Sequence, residues 1–448
     1  MRKSFVAFLL FVAFAPAFAT DFLYYLEFPL EAKKISSEQI PTDNDKQSLF
    51  ARGVCYKFGI GVQKNPQKAV ELFTQASFLG SDEGKYALAI CMMLGEGIDV
   101  NTKLAKTFLT SLVKKDFAPA VSFNGYRYAN GIGIKKSLLA SKALYQKAKT
   151  LGSERAIVEL ARIAGEQKDT SLAKEVIVPL RDLVSKKNIE ASYVFGVLLL
   201  DGIGVHPDIF EANRLFALCQ DYPMAQFKLA MNYLEGKGVV ADINKGVALL
   251  KKSANGGYAP AINNLAVCYQ NGYGVEKNLA RAVQFFKEAA QKDYATAQNN
   301  LAVCYLQRLA GTLEEGVYWL EKAAENGETD AWENLARCYI DGIGVDKNPR
   351  RAIPWLKNAI TTNSVWAKTN LGRIYIDGIY TEQNLPKGIA LLSEATEAND
   401  AEAMLHLGAC YYTGAGLAKD VDAAVSLFRK SAKLGNKQAR EVLRKIGK

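Results

Sequence analysis

The stretch from Ala261 to Val275 reads AINNLAVCYQNGYGV, and altered copies of it recur along nearly the whole chain. Its Gly-x-Gly element marks the copies, and successive first glycines stand 34 or 36 residues apart except at two double steps. The first glycines are Gly59, Gly95, Gly131, Gly202, Gly236, Gly272, Gly342 and Gly414. Gly378 opens a variant in which Tyr380 replaces the second glycine. Each double step spans one degenerate copy, around Gly165 and around residues 307–312, so the sequence predicts eleven repeats.

Each copy places apolar residues at helical spacing on two helices. In the quoted copy the first set is Ala261, Leu265, Cys268 and Tyr269, and the second set is Ala282, Phe285, Phe286 and Ala289. Such spacing forms one apolar stripe on each helix. A single helix pair buries too little of that stripe, so neighbouring pairs must stack. The predicted fold class is therefore all-α, a solenoid (αα superhelix) of about eleven helix pairs.

Glycines and capping residues predict where the two helices of a copy meet. A tight link between antiparallel helices needs positive φ, which glycine adopts without a steric penalty. Six residues after the first glycine stands a residue that can cap the second helix. These residues are Asn65, Asn101, Ser137, Asp208, Asp242, Asn278, Asn348, Asn384 and Asp420. Pro66 and Pro349 follow two of them, at the helical position that tolerates proline.

The two degenerate copies keep part of this pattern. Thr312 to Glu315 predicts a capping box after a shortened turn. In the copy around Gly165, Pro179 falls inside the expected second helix, where proline removes a hydrogen bond. We expect a kink there, and a local change of superhelix curvature near residues 165–185.

The first residues are typical of an export signal. Arg2 and Lys3 precede an apolar run from Phe5 to Phe14 and then Ala17-Phe18-Ala19. This pattern predicts a secretory signal peptide that is cleaved after Ala19, and a periplasmic or secreted protein. No later stretch has the 18 or more consecutive apolar residues of a membrane helix, so no integral membrane segment is expected.

Charge and histidine content disfavour several function classes. The formal net charge is +10, from 56 Lys and Arg against 46 Asp and Glu. Its basic doublets, such as Lys114-Lys115 and Lys251-Lys252, lie far apart, whereas nucleic-acid binders concentrate charge on one face. We expect a solvated surface and no nucleic-acid partner, with an anionic surface or acidic protein as the alternative. His206 and His406 have no neighbours at metal-ligand spacing, so no metal or cofactor is expected.

The repeat resembles the Sel1-like repeat family, a relative of tetratricopeptide repeats. The resemblance rests on the pattern Ala-x3-Leu-x3-Tyr-x2-Gly-x-Gly-Val-x3-Asn/Asp-x3-Ala and covers roughly residues 47–448. It implies a right-handed αα superhelix whose first helices line a concave face, and an adaptor role toward a protein or peptide partner. The expected organisation is a signal peptide (1–19), an N-terminal segment or cap (20–46), the repeats (47–436) and a C-terminal capping helix (437–448).

Six of the seven cysteines occupy one repeat position, four residues before the first glycine where that glycine is present. They are Cys55, Cys91, Cys268, Cys304, Cys338 and Cys410. Equivalent residues of stacked repeats lie at least about 8–10 Å apart, whereas a disulfide needs Cα atoms within about 7 Å. We therefore predict small buried core residues. Cys219 is predicted inside a second helix, at the position of Ala289.

An asparagine precedes the first-helix leucine in four consecutive repeats, at Asn264, Asn300, Asn334 and Asn370. Asparagine has no helix preference that explains this recurrence. In similar tetratricopeptide arrays this position faces the concave groove, and a row of amides offers donors and acceptors to the backbone of an extended peptide. Trp332 and Trp366 could add contacts there, although packing in the core is the favoured interpretation of each. The alternative is that duplicated units inherited a harmless surface asparagine, and both interpretations stay open.

No catalytic residue is expected. Disulfide-rich relatives are described as penicillin-binding or β-lactamase proteins, which makes a weak enzyme of that kind the alternative function. Ser-x-x-Lys occurs at Ser111 to Lys114 and at Ser171 to Lys174, without the Ser-Asp-Asn or Lys-Thr-Gly triplets of those enzymes.

A third possible function is attachment to the membrane or envelope through the aromatic segment from Phe22 to Phe28. The favoured interpretation of this segment is that it packs on the first repeat as an N-terminal cap.

Overall fold

The computed structural model describes residues 40–448, which divide into two compact units. The first unit is described from residue 40 to Cys219, and the second runs from Gln220 to Lys448. The described residues contain 23 helices and no strand. The predicted signal peptide, most of the predicted N-terminal segment and the aromatic segment from Phe22 to Phe28 lie outside the described residues.

The first unit consists of five helix pairs. Its helices are α1 (Lys46–Phe58), α2 (Pro66–Phe78), α3 (Asp82–Leu94), α4 (Thr102–Lys114), α5 (Ala118–Asn130), α6 (Leu138–Thr150), α7 (Glu154–Gln167), α8 (Thr170–Ser185), α9 (Ile189–Asp201) and α10 (Ile209–Leu218).

The second unit consists of six helix pairs and a final helix. Its helices are α11 (Pro223–Glu235), α12 (Ile243–Asn255), α13 (Ala259–Asn271), α14 (Leu279–Gln291), α15 (Ala295–Leu306), α16 (Leu313–Glu325), α17 (Thr329–Asp341), α18 (Pro349–Thr361), α19 (Val365–Asp377), α20 (Leu385–Glu397), α21 (Ala401–Thr413), α22 (Val421–Lys433) and α23 (Lys437–Lys445).

Within each unit the two helices of a repeat pack on each other, and each second helix packs on the next first helix. In the copy at 261–289, Ala261, Leu265, Phe286 and Ala289 are buried in one core with residues of neighbouring repeats. This continuous burial confirms the predicted all-α solenoid and its eleven helix pairs.

The glycine turns have the predicted backbone angles. Gly272 ends α13 with φ 80°, and the amides of Gly272 and Tyr273 both donate to the carbonyl oxygen of Cys268, at 2.8 and 3.0 Å. The cysteine position therefore lies one turn before the end of the first helix, where its carbonyl closes the turn.

The second glycine has a further role. Gly344 has φ 67°, and a Cβ there would lie 2.4 Å from the carbonyl oxygen of Leu313, the first residue of α16. In the first unit, a Cβ on Gly97 would lie 2.3 Å from the carbonyl oxygen of Pro66 on α2. The missing side chain thus lets the turn approach the second helix of the preceding repeat.

The predicted helix starts are confirmed. All nine predicted capping side chains accept a hydrogen bond from the backbone of the helix that follows. Pro66 and Pro349 are the first residues of α2 and α18. In the capping box, the Glu315 amide donates to Thr312 Oγ1 at 3.2 Å and the Thr312 amide donates to Glu315 Oε2 at 2.9 Å.

The degenerate copy around Gly165 differs from the other repeats in its turn. Gly165 lies inside α7, and the left-handed residue that ends the helix is Lys168, with φ 53°. Asp169 caps α8 directly afterwards, and α8 runs through Pro179 as one helix of 16 residues. The expected change of curvature near residues 165–185 stays a prediction.

All seven cysteines are free and buried, as predicted for core residues. The predicted position of Cys219 is wrong in one respect, because α10 ends at Leu218 and Cys219 is the residue that follows it. The reason is that the spacing from Gly202 to Gly236 is two residues shorter than the usual 36, which shortens this second helix. Among residues 40–448, no helix is both long and apolar enough to cross a membrane.

Candidate partner-binding face

The structure places the four predicted asparagines at one register of consecutive first helices. Asn264 on α13, Asn300 on α15 and Asn334 on α17 are half-buried, and Asn370 on α19 is buried. Each stands six residues after the residue that caps its helix. We call the half-exposed side chains of α13, α15, α17, α19 and α21 on this side the first-helix face.

Two of the four asparagines link neighbouring repeats. Asn300 Nδ2 donates to Asn263 Oδ1 at 3.0 Å, and Asn334 Nδ2 donates to Asn299 Oδ1 at 3.0 Å. Asn263 and Asn299 are buried, so they form a second row behind the first. This second row was not predicted from the sequence, although the doublets at 263–264 and 299–300 signal it.

The other two asparagines bond to their own helices. Asn264 Nδ2 donates to the carbonyl oxygen of Pro260 at 2.8 Å, and Asn370 Nδ2 donates to that of Trp366 at 2.9 Å. An amide group carries two N–H donors and an acceptor oxygen. One N–H of each amide therefore serves the fold, and the four side chains do not bond to one another.

A charged and aromatic cluster continues the first-helix face on α17 and α19. The guanidinium of Arg337 lies 4.0 Å from the ring centroid of Trp366, a cation–π contact. Arg337 also pairs with Glu333 at 2.7 Å, and Glu333 accepts a hydrogen bond from Ser364 Oγ at 2.6 Å. Trp332 is half-buried, and its Nε1 donates to the Ala324 carbonyl at 3.2 Å.

His406 occupies the next position of the row, on α21. Its Nε2 lies 3.7 Å from Glu402 Oε1, and Arg373 Nη1 lies 3.8 Å from the same oxygen. The neighbouring His406 side chain lowers the pKa of Glu402, burial partly opposes this shift, and the charges of Arg373 and Arg337 lower the pKa further. Glu402 is therefore held as a carboxylate beside Arg373, and the face presents both signs of charge.

The corresponding side of the first unit is different. Arg155 and Glu159 on α7 and Glu190 on α9 are buried, and Arg155 pairs with both carboxylates. Arg162 lies 3.6 Å from an oxygen of each carboxylate. Glu159 stands at the register of the asparagine row, six residues after Ser153. At this register the repeat of α7 thus carries one carboxylate of a buried ionic cluster, whereas four repeats of the second unit carry amides, three of them half-exposed.

The serines of the two Ser-x-x-Lys motifs lie in ordinary helical environments. Ser111 Oγ on α4 donates to the backbone carbonyl of Phe108 at 2.7 Å, and Ser171 and Lys174 on α8 are exposed. Among the described residues, no group of three or more His, Cys, Asp or Glu side chains is arranged to hold a metal ion.

Stacked helix pairs, glycine turns and a polar first-helix face define a helical-repeat scaffold. The chain belongs to the Sel1 repeat family, whose model matches nine segments. These are residues 46–81, 82–114, 122–153, 223–258, 259–294, 295–328, 333–361, 367–400 and 401–436. The degenerate copy with the capping box is among them, whereas α7 to α10 lie between the third and fourth segments.

Solved structures include similar repeat proteins. A protective antigen of uropathogenic Escherichia coli that displays a Sel1-like repeat fold is 21% identical, with a TM-score of 0.53, over 92% of this chain and 90% of that chain. A Sel1 repeat protein from Oxalobacter formigenes is 28% identical, with a TM-score of 0.44, over 67% of this chain and 89% of that chain. The first likeness supports the fold. No curated protein matches the sequence.

Proposed function

We propose that this chain is a protein-binding scaffold that holds a protein or peptide partner on the first-helix face of its second unit. Sel1 repeat proteins generally mediate protein–protein interactions, which gives the class of function. The observation that carries the choice of face is that amides, arginines, a tryptophan ring and carboxylates line consecutive first helices, and that all of them except Asn370 are at least partly exposed. Arginine and tryptophan are enriched among residues that dominate binding energy.

The asparagine row suits an extended peptide. Asn264, Asn300 and Asn334 each use one N–H within the fold, so the remaining donor and the oxygen match the alternating groups of a peptide backbone. Asn370 is buried, and its Oδ1 accepts a hydrogen bond from Arg373 Nη2 at 3.4 Å. The Arg337–Trp366 pair then offers a contact for a partner side chain. The competing explanation, an inherited asparagine without a binding role, is supported by the Asn300–Asn263 and Asn334–Asn299 bonds, because these give two of the side chains a structural task.

A binding measurement separates the two explanations. Once a partner has been identified by crosslinking in the native cell, its affinity is measured for the wild type and for Asn264→Ala, Asn300→Ala, Asn334→Ala and Asn370→Ala combined. The matched control changes three exposed asparagines of the second helices, Asn244→Ala, Asn255→Ala and Asn358→Ala. We expect at least a tenfold loss for the row variant and less than twofold for the control. Equal affinities of all three proteins would refute the proposal that the asparagine row binds the partner.

We also propose that the scaffold acts after export, in the periplasm or outside the cell. The support is the sequence alone, with Arg2 and Lys3 before the apolar run and Ala17-Phe18-Ala19 after it. Sequencing the amino terminus of the protein from fractionated cells tests this directly. We expect Thr20 as the first residue in the exported fraction, and a cytoplasmic protein that retains Met1 would contradict it.

A further inference from the structure

The positive charge of the chain is concentrated at the end of the second unit. Residues 421–448 contain eight Lys and Arg against two Asp and Glu, whereas residues 1–420 contain 48 against 44. The wide spacing of basic residues noted in the sequence therefore does not extend to α22, α23 and the residues after them. The eight cations are Arg429, Lys430, Lys433, Lys437, Arg440, Arg444, Lys445 and Lys448, all of them exposed. We call this set the basic end.

The structure brings part of the basic end together in a depression. Arg429, Lys430, Lys433 and Lys448 line it, with Asp422 as its one acidic residue, and its volume is about 410 Å³. Within residues 40–448, Lys445 is the one of the eight cations that forms an ion pair, with Glu441 at 3.3 Å. The remaining charges of the basic end thus face solvent.

Helix dipoles explain only some of these cations. Lys430 and Lys433 stand in the last turn of α22, and Arg444 and Lys445 stand in the last turn of α23. Cations are favourable at a helix C-terminus and unfavourable at an N-terminus. Lys437 is the first residue of α23, where its charge opposes the dipole. The cluster is therefore larger than intrinsic helix stability requires.

We propose that the basic end is a docking surface for an anionic phospholipid bilayer. The bases of this inference are the charge complementarity and one exposed apolar residue: Leu434, in the turn between α22 and α23, is 53% exposed between Lys433 and Lys437. An apolar tip among lysines suits the interface of a bilayer, where the side chain inserts among head groups while the cations meet acidic lipids.

Other polyanions fit the basic end less well. Single-stranded nucleic acids are held by exposed aromatic rings, and the one aromatic residue in 421–448, Phe428, is 2% exposed. The apolar side of α23 is occupied too, because Val442, Leu443 and Ile446 pack against a core that contains Phe428. The basic end is left with long flexible cations and one exposed leucine. These side chains suit adsorption to a diffuse anionic surface rather than binding to a partner of defined shape.

Vesicle sedimentation of the full chain tests this proposal, which is independent of the first-helix face. The probes are vesicles of equimolar phosphatidylglycerol and phosphatidylcholine, and vesicles of phosphatidylcholine alone. We expect binding to the acidic vesicles only, weakening as salt rises. A cation beside an acidic surface contributes a factor of about five in partition. Lys430→Glu, Lys433→Glu and Lys437→Glu combined should therefore lower partition at least about 100-fold, since each change also replaces a cation by an anion. Leu434→Ser should lower it less, most visibly at high salt.

A matched control changes the same charge elsewhere. Lys252→Glu, Lys287→Glu and Lys357→Glu alter exposed lysines on the second helices α12, α14 and α18, and we expect less than a fivefold loss. Circular dichroism confirms that each variant is folded. Equal binding to both vesicle types, an equal loss in the control, or displacement by excess glycerol phosphate or duplex DNA would each overturn the bilayer proposal.

Discussion

Asn334 on α17 donates from Nδ2 to Oδ1 of Asn299 on α15 at 3.0 Å, and this bond ties two consecutive repeats together. The acceptor is buried and the donor is half-exposed. The asparagine row therefore has a structural side, which faces the neighbouring repeat, and a solvent side, on which the proposed binding depends.

This geometry predicts unequal costs within one row. Asn334→Ala leaves the buried oxygen of Asn299 without its donor, which should lower the free energy of unfolding by about 1–3 kcal/mol. Asn264→Ala removes a bond to its own helix at Pro260, and we expect a loss below about 1 kcal/mol because alanine also favours the helix. Urea denaturation followed by circular dichroism gives both values. Equal losses would mean that the bond between repeats contributes nothing.

The two glycines of a turn should differ in their sensitivity to alanine. Gly342→Ala places a side chain at φ 74°, which costs roughly 1–2 kcal/mol, with the nearest atom 3.2 Å away on Lys347. Gly344→Ala has the same backbone penalty and adds a clash with the carbonyl of Leu313, for a total of roughly 2–5 kcal/mol. The check is the difference in urea midpoint between the two variants, and a larger loss for Gly342→Ala contradicts the role assigned to the second glycine.

Substitutions in the ionic cluster of the first unit should have non-additive effects on the free energy of unfolding. Arg155→Met leaves Glu159 and Glu190 buried beside each other without their main counter-charge, and we expect a loss of about 3–5 kcal/mol. Adding Glu190→Leu removes one of those carboxylates, so the double variant should lose less than the sum of the single losses by about 1–3 kcal/mol. A double-mutant cycle in urea measures this coupling. Additive losses would show that the pair does not interact.

Local features of this fold could be predicted from the sequence, whereas contacts between repeats could not. Turns and helix starts depend on what one residue does to its own backbone, so Gly272 and Asn278 were sufficient signals. The Asn300–Asn263 bond joins residues 37 positions apart and depends on how two repeats stack. The Arg155–Glu190 pair is of the same kind, as is the approach of Gly344 to α16, because no local spacing encodes them.

The buried thiols predict a loss of stability in alkali. Burial raises the pKa of Cys338 to about 11, and the charge of Asp341 adds to the shift. In the unfolded chain the pKa of the thiol is about 8.5. The contribution of this thiol is therefore fully present below about pH 8.5 and falls by about 3 kcal/mol as the pH rises to about 11. Cys338→Ala should flatten this part of the profile of unfolding free energy against pH. Parallel profiles for the variant and the wild type would contradict the raised pKa.

Site-specific photocrosslinking in the native cell tests the central claim most directly. A photoreactive amino acid is placed at Asn300 or Arg373 on the first-helix face, and at exposed Glu288 or Lys357 on the second helices as controls. We predict that the first-helix positions capture one defined protein and that the second-helix positions do not. Capture of the same proteins from all four positions, or of none from the first-helix face, would contradict a scaffold that binds its partner there.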